Sequence, residues 1–193
     1  MPELGRRSSG WSSIQSVPTR EYTCPYCGNR VASQLGWDGG GVAWIYVCPH
    51  CMNPTYFAEG DVQIPGVAPG RDVPHLPHPV RNGYREARDA LAAGAPTASV
   101  LVARKLLMNI AVTQGADPGK SFAEYVEYLA EEGYVPPKGE MWVDLIRKKG
   151  NEATHELPEM TDVDAGELLT FLEMLLTFIY DFPNRVPPAP ATP

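Results

Sequence analysis

The sequence predicts a mainly α-helical protein, a five-helix bundle preceded by a small β-hairpin that carries four cysteines. Two observations lead to this fold class. From residue 82 onward, apolar side chains recur with a helical period through five successive segments. Ahead of them, two CxxC pairs flank two short segments of β-type composition. A hydrophobic content of 44% over 193 residues is enough to form a core in such a protein.

Composition divides the chain into five predicted segments. Residues 1–20 are rich in Ser and Gly and lack periodicity, which predicts a flexible tail. Residues 21–58 contain the cysteines, and residues 59–81, with five Pro and three Gly, are typical of a linker. The helical pattern occupies residues 82–183. Residues 184–193, rich in Pro and Ala, predict a disordered tail.

The four cysteines form two matched pairs, Cys24 with Cys27 and Cys48 with Cys51, separated by twenty residues. Each CxxC turn can present two thiolates to one ion, and two such turns complete a tetrahedral shell. The pattern resembles a zinc ribbon and predicts one structural Zn²⁺ per chain. Three alternatives are weaker. A disulfide pair would suit an oxidising compartment, for which the sequence has no signal. A redox CxxC needs no second pair, and catalytic zinc needs an open position that four thiolates do not leave.

The hairpin is predicted between the cysteine pairs. Strands are expected over residues 31–37 and 42–47, with residues 38–41, Asp-Gly-Gly-Gly, as the turn, and residues 55–57 as a third short strand. His50 lies inside the second CxxC turn and is expected to face solvent without binding the metal.

The aromatic residues of this region have two interpretations. They either form the small core of the hairpin or include an exposed platform on which bases stack. Few cations accompany them, which disfavours nucleic-acid binding by the ribbon. The residues concerned are Trp37, Trp44, Tyr46, Tyr56 and Phe57, with Arg20 and Arg30 nearby.

Five helices are predicted in the second half of the chain. They cover residues 84–93, 96–114, 121–133, 142–156 and about 161–180. The second is apolar nearly all round, which indicates a central, buried position. Ser121 and Glu124 have the spacing of a capping box, which predicts the start of the third helix. The last carries apolar residues on more than one face, and this surplus predicts a homodimer formed through the C-terminal helix.

The helix predicted over residues 142–156 carries the candidate catalytic residues. Asn151 and His155 lie four residues apart, and Arg147 lies one turn before Asn151, so a cation, an amide and an imidazole share one face. Such a group could bind a phosphate and move a proton. Lys148 and Lys149 are weaker candidates for contacting RNA. The alternative is an ordinary surface helix, whose polar face needs no ligand.

Several stretches of the second half resemble the family named domain of unknown function 4145. They are LPHPVRNGYREA, AAGAPTASVLVARKLL, SFAEYVEYLAEEGYVP and IRKKGNEATHE, between Pro77 and Phe182. That family is regarded as similar to the HEPN superfamily of small helical bundles, many of which dimerise and act as metal-independent ribonucleases in toxin or phage-defence systems. The resemblance therefore implies a HEPN-like helical domain. The HEPN signature places a catalytic Arg immediately before the Asn, and this chain has Gly150 there.

Two functions remain open from the sequence. The first is a HEPN-like interaction or sensing module with a structural zinc ribbon, in a defence or regulatory system. The alternative is a metal-independent endoribonuclease that uses His155 and Asn151 in a dimer cleft, with RNA as substrate. The net charge of −7 provides no broad basic field for nucleic acid. No signal peptide or membrane-spanning run is apparent, so a cytoplasmic protein without membrane contact is expected.

Overall fold

The protein is a mixed α/β chain, described by a computed structural model for residues 11–135, 143, 144, 146 and 160–185. It divides into two compact units, residues 1–68 and residues 69–193. Within the described residues, the first contains a five-stranded antiparallel sheet and the second contains four helices of ten residues or more. The predicted fold class, a mainly α five-helix bundle with only a small β-hairpin, is therefore wrong.

The N-terminal unit is a meander, in which strands adjacent in the chain are adjacent in the sheet. Every neighbouring pair is antiparallel. The strands are β1 (Gln15–Thr23), β2 (Arg30–Asp38), β3 (Trp44–Val47), β4 (Pro54–Phe57) and β5 (Gln63–Ile64). The predicted turn between β2 and β3 is present, because Gly39 donates its N–H to Ala43 O at 2.8 Å and Gly41 donates to the Asp38 carboxylate at 2.7 Å.

The two outer strands, β1 and β5, are the part of the sheet that the sequence did not predict. Residues 15–20 belong to β1 and are not a flexible tail. The pairing of β1 with β2 shifts register between Ser16 and Arg20, around Pro18, so the alternation that identifies a strand is interrupted. β5 has only two residues, too few for a period to be read.

The helical unit is built from four helices of ten residues or more among the residues described. They are α1 (His78–Ala92), α2 (Pro96–Thr113), α3 (Phe122–Glu131) and α4 (Asp162–Leu176). α4 continues into a π-helical turn, Thr177–Asp181, and a final helical turn, Phe182–Arg185. Capping boxes start α3 at Ser121, as predicted, and α4 at Thr161.

The core of the helical unit forms around α2, which packs against α1, α3 and α4. Ala103, Leu107 and Ile110 are fully buried, which confirms the central position predicted from its apolar surface. α4 is buried almost as completely, with Phe171, Leu172 and Leu175 at most 1% exposed. Much of the apolar surface that predicted a partner subunit is thus buried within one chain, whereas Phe178, in the π-helical turn, is 41% exposed. The homodimer itself stays a prediction.

Side chains from α1 and α4 bind residues 69–72 at the start of the helical unit, and we call this set of contacts the clamp. Arg88 donates to the carbonyl oxygens of Pro69 and Gly70 at 2.6 and 2.9 Å and to the Asp72 carboxylate at 2.6 Å. Glu173 of α4 accepts the backbone N–H and the guanidinium of Arg71, both at 3.0 Å. Of the residues predicted as a linker, 63 and 64 thus lie in β5, and 69–72 are bonded to α1 and α4. Only residues 65–68 lie between β5 and the clamp.

Asp181, in the π-helical turn, is a buried carboxylate with 1% of its surface exposed. Arg185 approaches its Oδ2 at 2.7 Å, and His75 Nε2 lies 3.8 Å from its Oδ1. His75 and Asp181 are more than one hundred positions apart in the sequence, so this contact depends on the fold. Among the described residues, no helix combines the length and apolar character that crossing a membrane requires.

Candidate metal centre

The four cysteines lie in two turns that strands of the sheet bring together. Cys24 follows the last residue of β1, and Cys27 precedes β2. Cys48 follows the last residue of β3, and Cys51 precedes β4. We call the two turns the first knuckle (residues 24–29) and the second knuckle (residues 48–53). Each knuckle connects two antiparallel neighbours, so the sheet register fixes where its thiols point.

The knuckles share one backbone structure. In the first, Gly28 N–H donates to Cys24 O at 2.9 Å and Cys24 N–H donates to Asn29 O at 2.9 Å. In the second, Met52 N–H donates to Cys48 O at 2.9 Å and Cys48 N–H donates to Asn53 O at 3.0 Å. The same pair of bonds therefore closes both turns.

The four sulfur atoms lie at the spacing of a tetrahedral metal site. All are within 4.8 Å of one another, with Cys24 Sγ 3.6 Å from Cys51 Sγ and Cys27 Sγ 3.9 Å from Cys48 Sγ. A Zn–S bond of about 2.3 Å implies sulfur atoms about 3.8 Å apart at the corners of a tetrahedron. A disulfide would need about 2.05 Å, so the cysteines are free thiols in a metal-binding arrangement.

The electrostatics of the thiols favour a bound cation. Burial raises the pKa of Cys24, opposed by the backbone N–H groups of Tyr26 and Cys27. Burial also acts to raise the pKa of Cys48. Hydrogen bonds from the backbone N–H groups of Cys51 and His50, together with those from the Cys24 and Cys51 side chains, outweigh it, so the pKa is lowered. Each knuckle thus aims two N–H groups at its first sulfur. Thiolates gathered at this density need a positive ion between them to be stable in a buried site.

The predicted aromatic residues mostly form the core of the sheet. Tyr46 and Phe57 are 2% and 3% exposed, and they pack edge to face with ring centroids 5.6 Å apart. Tyr22, which the sequence did not single out, completes the group at 5.2 Å from Phe57. Trp44 is half-buried against the same cluster. Four of the residues in and around the hairpin are therefore core and not a stacking platform.

The remaining two predicted aromatics face the other side of the sheet. Trp37 is half-buried, and Trp11 packs against it at 5.6 Å while donating its indole N–H to Met52 O at 2.8 Å. Tyr56 is 40% exposed. Trp11 belongs to the segment expected to be a flexible tail, and this contact shows that the segment is held from residue 11 onward.

Arg20 and Arg30, the two cations noted beside the aromatic residues, are both paired with carboxylates. The Arg20 guanidinium stacks over Phe57, 4.3 Å from the ring centroid, and pairs with Asp61. Arg30 pairs with Glu21 at 3.1 Å. That the ribbon binds nucleic acid poorly stays a prediction. His50 is exposed, as expected.

The candidate catalytic residues His155, Asn151 and Arg147, and the candidate RNA contacts Lys148 and Lys149, lie outside the described residues. Three positions of the helix predicted there are described. Val143, Asp144 and Ile146 are helical, with Ile146 2% exposed and Asp144 exposed. An apolar residue of this segment is thus buried and an acidic one is exposed.

Two residues at the metal centre were missed by the sequence analysis. Asn29 and Asn53 each direct the side-chain amide toward the second cysteine of their knuckle, at 3.7 Å from Cys27 Sγ and 3.5 Å from Cys51 Sγ. The signal was present in the sequence, because CPYCGN and CPHCMN repeat a C-P-x-C-x-N pattern. The CxxC spacing by itself does not include this shared Asn.

Comparison with known proteins concerns the helical unit. The sequence profile of one family, described as Domain of unknown function (DUF4145), matches residues 85–190, more than half of the chain. The chain belongs to this family. The DUF4145 match begins inside α1 and lies after both knuckles, so the metal centre is outside the matched region. No curated protein and no solved structure matches the chain.

Proposed function

We propose that this DUF4145 protein is a HEPN-like interaction or sensing module of a defence or regulatory system, with a structural zinc ribbon as its N-terminal unit. The observation that carries the proposal is the closed shell of four cysteine sulfurs. Four thiolates occupy every position of a tetrahedral ion and leave none for water or substrate. A metal held this way stabilises a fold and does no chemistry.

Zinc is the ion that this site fits best. Tetrahedral four-sulfur sites select zinc or iron, and zinc is the usual choice where the metal only stabilises a small fold. The buried apolar cluster of the ribbon is small, with Val17, Tyr22, Tyr46 and Phe57 beside two of the cysteines. A unit with so little core gains most of its folding free energy from the metal.

The charges of the described residues favour a protein partner over a nucleic acid. The chain carries a net charge of −7, and the ribbon cations Arg20 and Arg30 are paired with carboxylates. Phosphate backbones are bound by unopposed Lys and Arg. The sequence adds that Gly150 occupies the position of the catalytic Arg of HEPN nucleases. These features support a module that contacts protein.

A homodimer through the C-terminal helix is the second part of the proposal. Phe178 and Phe182 are 41% and 51% exposed, and their rings pack edge to face with centroids 6.1 Å apart. We expect a second copy of the chain to cover this pair. Sedimentation velocity should show a dimer for the parent protein and a monomer for Phe178→Glu/Phe182→Glu. A monomeric parent at micromolar concentration would remove the homodimer from the proposal.

Metal analysis tests the ribbon. Purified protein should contain about one zinc per chain, and Cys24→Ser/Cys48→Ser should contain none. Ser12→Ala, a change at an exposed position of the same unit, is the matched control and should keep its zinc. Iron in place of zinc, with visible colour, or a metal-free and well-folded ribbon would overturn the assignment.

An RNA cleavage assay distinguishes the proposed interaction module from the alternative function, an endoribonuclease. Parent protein and His155→Ala are incubated with labelled RNA in buffer without EDTA. We expect both to leave the RNA intact. Cleavage by the parent that disappears in His155→Ala would replace the interaction module by a ribonuclease that depends on His155, while the zinc ribbon would stand.

A further inference from the structure

The two asparagines of the knuckles are placed alike with respect to the metal site. Asn29 Nδ2 lies 3.7 Å from Cys27 Sγ, and Asn53 Nδ2 lies 3.5 Å from Cys51 Sγ. These are hydrogen-bond distances for a sulfur acceptor, which is larger than oxygen. In both knuckles the donor is two residues after the acceptor, across the left-handed residue. The repetition indicates a shared role.

The cysteines that receive these amides are the accessible ones. Cys24 and Cys48 are fully buried, whereas Cys27 and Cys51 are partly exposed. The buried pair already receives backbone N–H groups from within its own knuckles. A competing ligand or an electrophile reaches the metal first at the exposed pair, and the asparagine amides lie there.

We propose that Asn29 and Asn53 are positioning residues for the metal, each donating a side-chain N–H to a metal-bound thiolate. The inference rests on the proposed zinc ribbon. A donor on the thiolate holds the sulfur in its orientation, withdraws part of its negative charge and occupies the side from which a competitor would approach. The amides therefore slow the loss of zinc from the exposed edge of the site.

The two asparagines are expected to contribute unequally to the retention of zinc. Asn53 is half-buried and has the shorter contact, while Asn29 is exposed, so water competes more strongly for its amide. Removing a side chain that hydrogen-bonds to a metal ligand commonly weakens metal binding by about 10- to 100-fold. We expect the effect at Asn53 to be near the lower end of that range and the effect at Asn29 to be smaller.

The test measures zinc transfer from the full-length, zinc-loaded protein to an excess of a chromophoric chelator. Asn53→Ala removes the donor, and Asn53→Asp replaces it with a group of the same shape that cannot donate at neutral pH. Both should release zinc about tenfold faster than the parent, and Asn29→Ala less so. Asn109→Asp makes the same chemical change at an exposed asparagine of α2, in the other unit of the chain, and should release zinc at the parental rate.

A spectroscopic measurement distinguishes this role from general stabilisation of the turn. With Co²⁺ in place of zinc, the sulfur-to-cobalt charge-transfer band should move to longer wavelength in Asn53→Ala, because the thiolate regains electron density. Loss of metal from Asn53→Ala during purification, with full occupancy in Asn109→Asp, also supports the proposal. Parental release rates and an unshifted band in both Asn53 variants would overturn it and leave the ribbon intact. A parent protein without zinc would instead overturn the proposed function.

Discussion

Gly28 and Met52 hold the same left-handed backbone conformation at the same position of the two knuckles, with φ of 70° and 61°. Each follows the second cysteine and donates its N–H to the carbonyl of the first. Glycine adopts this conformation without steric cost, whereas a side chain with a Cβ is disfavoured by about 1–2 kcal/mol. The second knuckle therefore contains strain that the first avoids.

Replacing Met52 with glycine should stabilise the ribbon. We expect Met52→Gly to raise the free energy of unfolding by about 1 kcal/mol, and Gly28→Ala, where a Cβ meets nothing within 4 Å, to lower it by a similar amount. Urea unfolding of the zinc-loaded protein, followed by tryptophan fluorescence, measures both. Met52→Ala keeps the Cβ and controls for the lost thioether. Equal stability of Met52→Gly and Met52→Ala would show that the left-handed residue is not strained.

Gly36 marks a close approach between β2 and β3. A Cβ at this position would overlap the carbonyl oxygen of Ile45 and lie 2.9 Å from its carbonyl carbon. Because both atoms are backbone, the strands would have to separate, and we expect Gly36→Ala to cost about 3 kcal/mol or more. Thermal unfolding by circular dichroism is the measurement. Gly166→Ala in α4, where a Cβ meets open space, should instead be stabilising by up to about 1 kcal/mol.

The knuckles and the central hairpin were predictable because their signals are local. Cysteine spacing and the Asp-Gly-Gly-Gly turn are contained in a few residues, and each determines a structure by itself. β1 was missed because Pro18 and the register shift near it interrupt its alternation. Its place in the sheet depends on pairing with β2 and on the packing of Tyr22 against Phe57, which are contacts between distant positions.

The helical unit shows the same division between local and distant information. Ser121 and Glu124 predicted the start of α3 correctly, since a capping box needs only four residues. The clamp on residues 69–72 was not predictable, because Glu173 is 102 positions from Arg71. The burial of α4 was not predictable for a related reason. The sequence does not show that neighbouring helices cover Phe171 and Leu175 from several sides.

Arg88 should be the most important single side chain of that clamp. Its side chain is 10% exposed and bonds two backbone carbonyls and Asp72, while its guanidinium lies 5.3 Å from the Tyr84 ring centroid. We expect Arg88→Ala to cost about 2–3 kcal/mol, mostly from the two unpaired carbonyls. Arg88→Lys should recover less than half, because one ammonium cannot replace the guanidinium fork.

Arg85, an exposed residue of the same helix, provides the control for the clamp. Arg85→Ala should change the free energy of unfolding by no more than about 0.5 kcal/mol. Chemical denaturation followed by far-ultraviolet circular dichroism compares the three variants. If Arg88→Lys were as stable as the parent, the charge of the residue and not its fork would hold the segment.

The capping box of α3 should make its helix sensitive to acid. Hydrogen bonds from the side chain and backbone N–H of Ser121, with the charge of Lys120, hold the pKa of Glu124 below its ordinary value of 4.5. A carboxyl whose pKa is lowered by folding contributes stability above its unfolded pKa, and the contribution is lost as the pH falls through the folded value. The helix start is therefore intact at neutral pH and weakens only below about pH 4.5.

Ser121→Ala tests the cause of this shift. The variant removes the hydroxyl but keeps the backbone N–H that donates to Glu124 Oε2 at 2.7 Å, so the pKa of Glu124 should rise only part of the way to 4.5. Carbon-13 NMR titration of the Glu124 carboxyl measures it, with Ser16→Ala in β1 as a control that leaves it unchanged. A pKa unaffected by Ser121→Ala would assign the whole shift to the backbone N–H and Lys120. In that case the serine would act only as an acceptor for Glu124 N–H, the bond of 3.3 Å that completes the box.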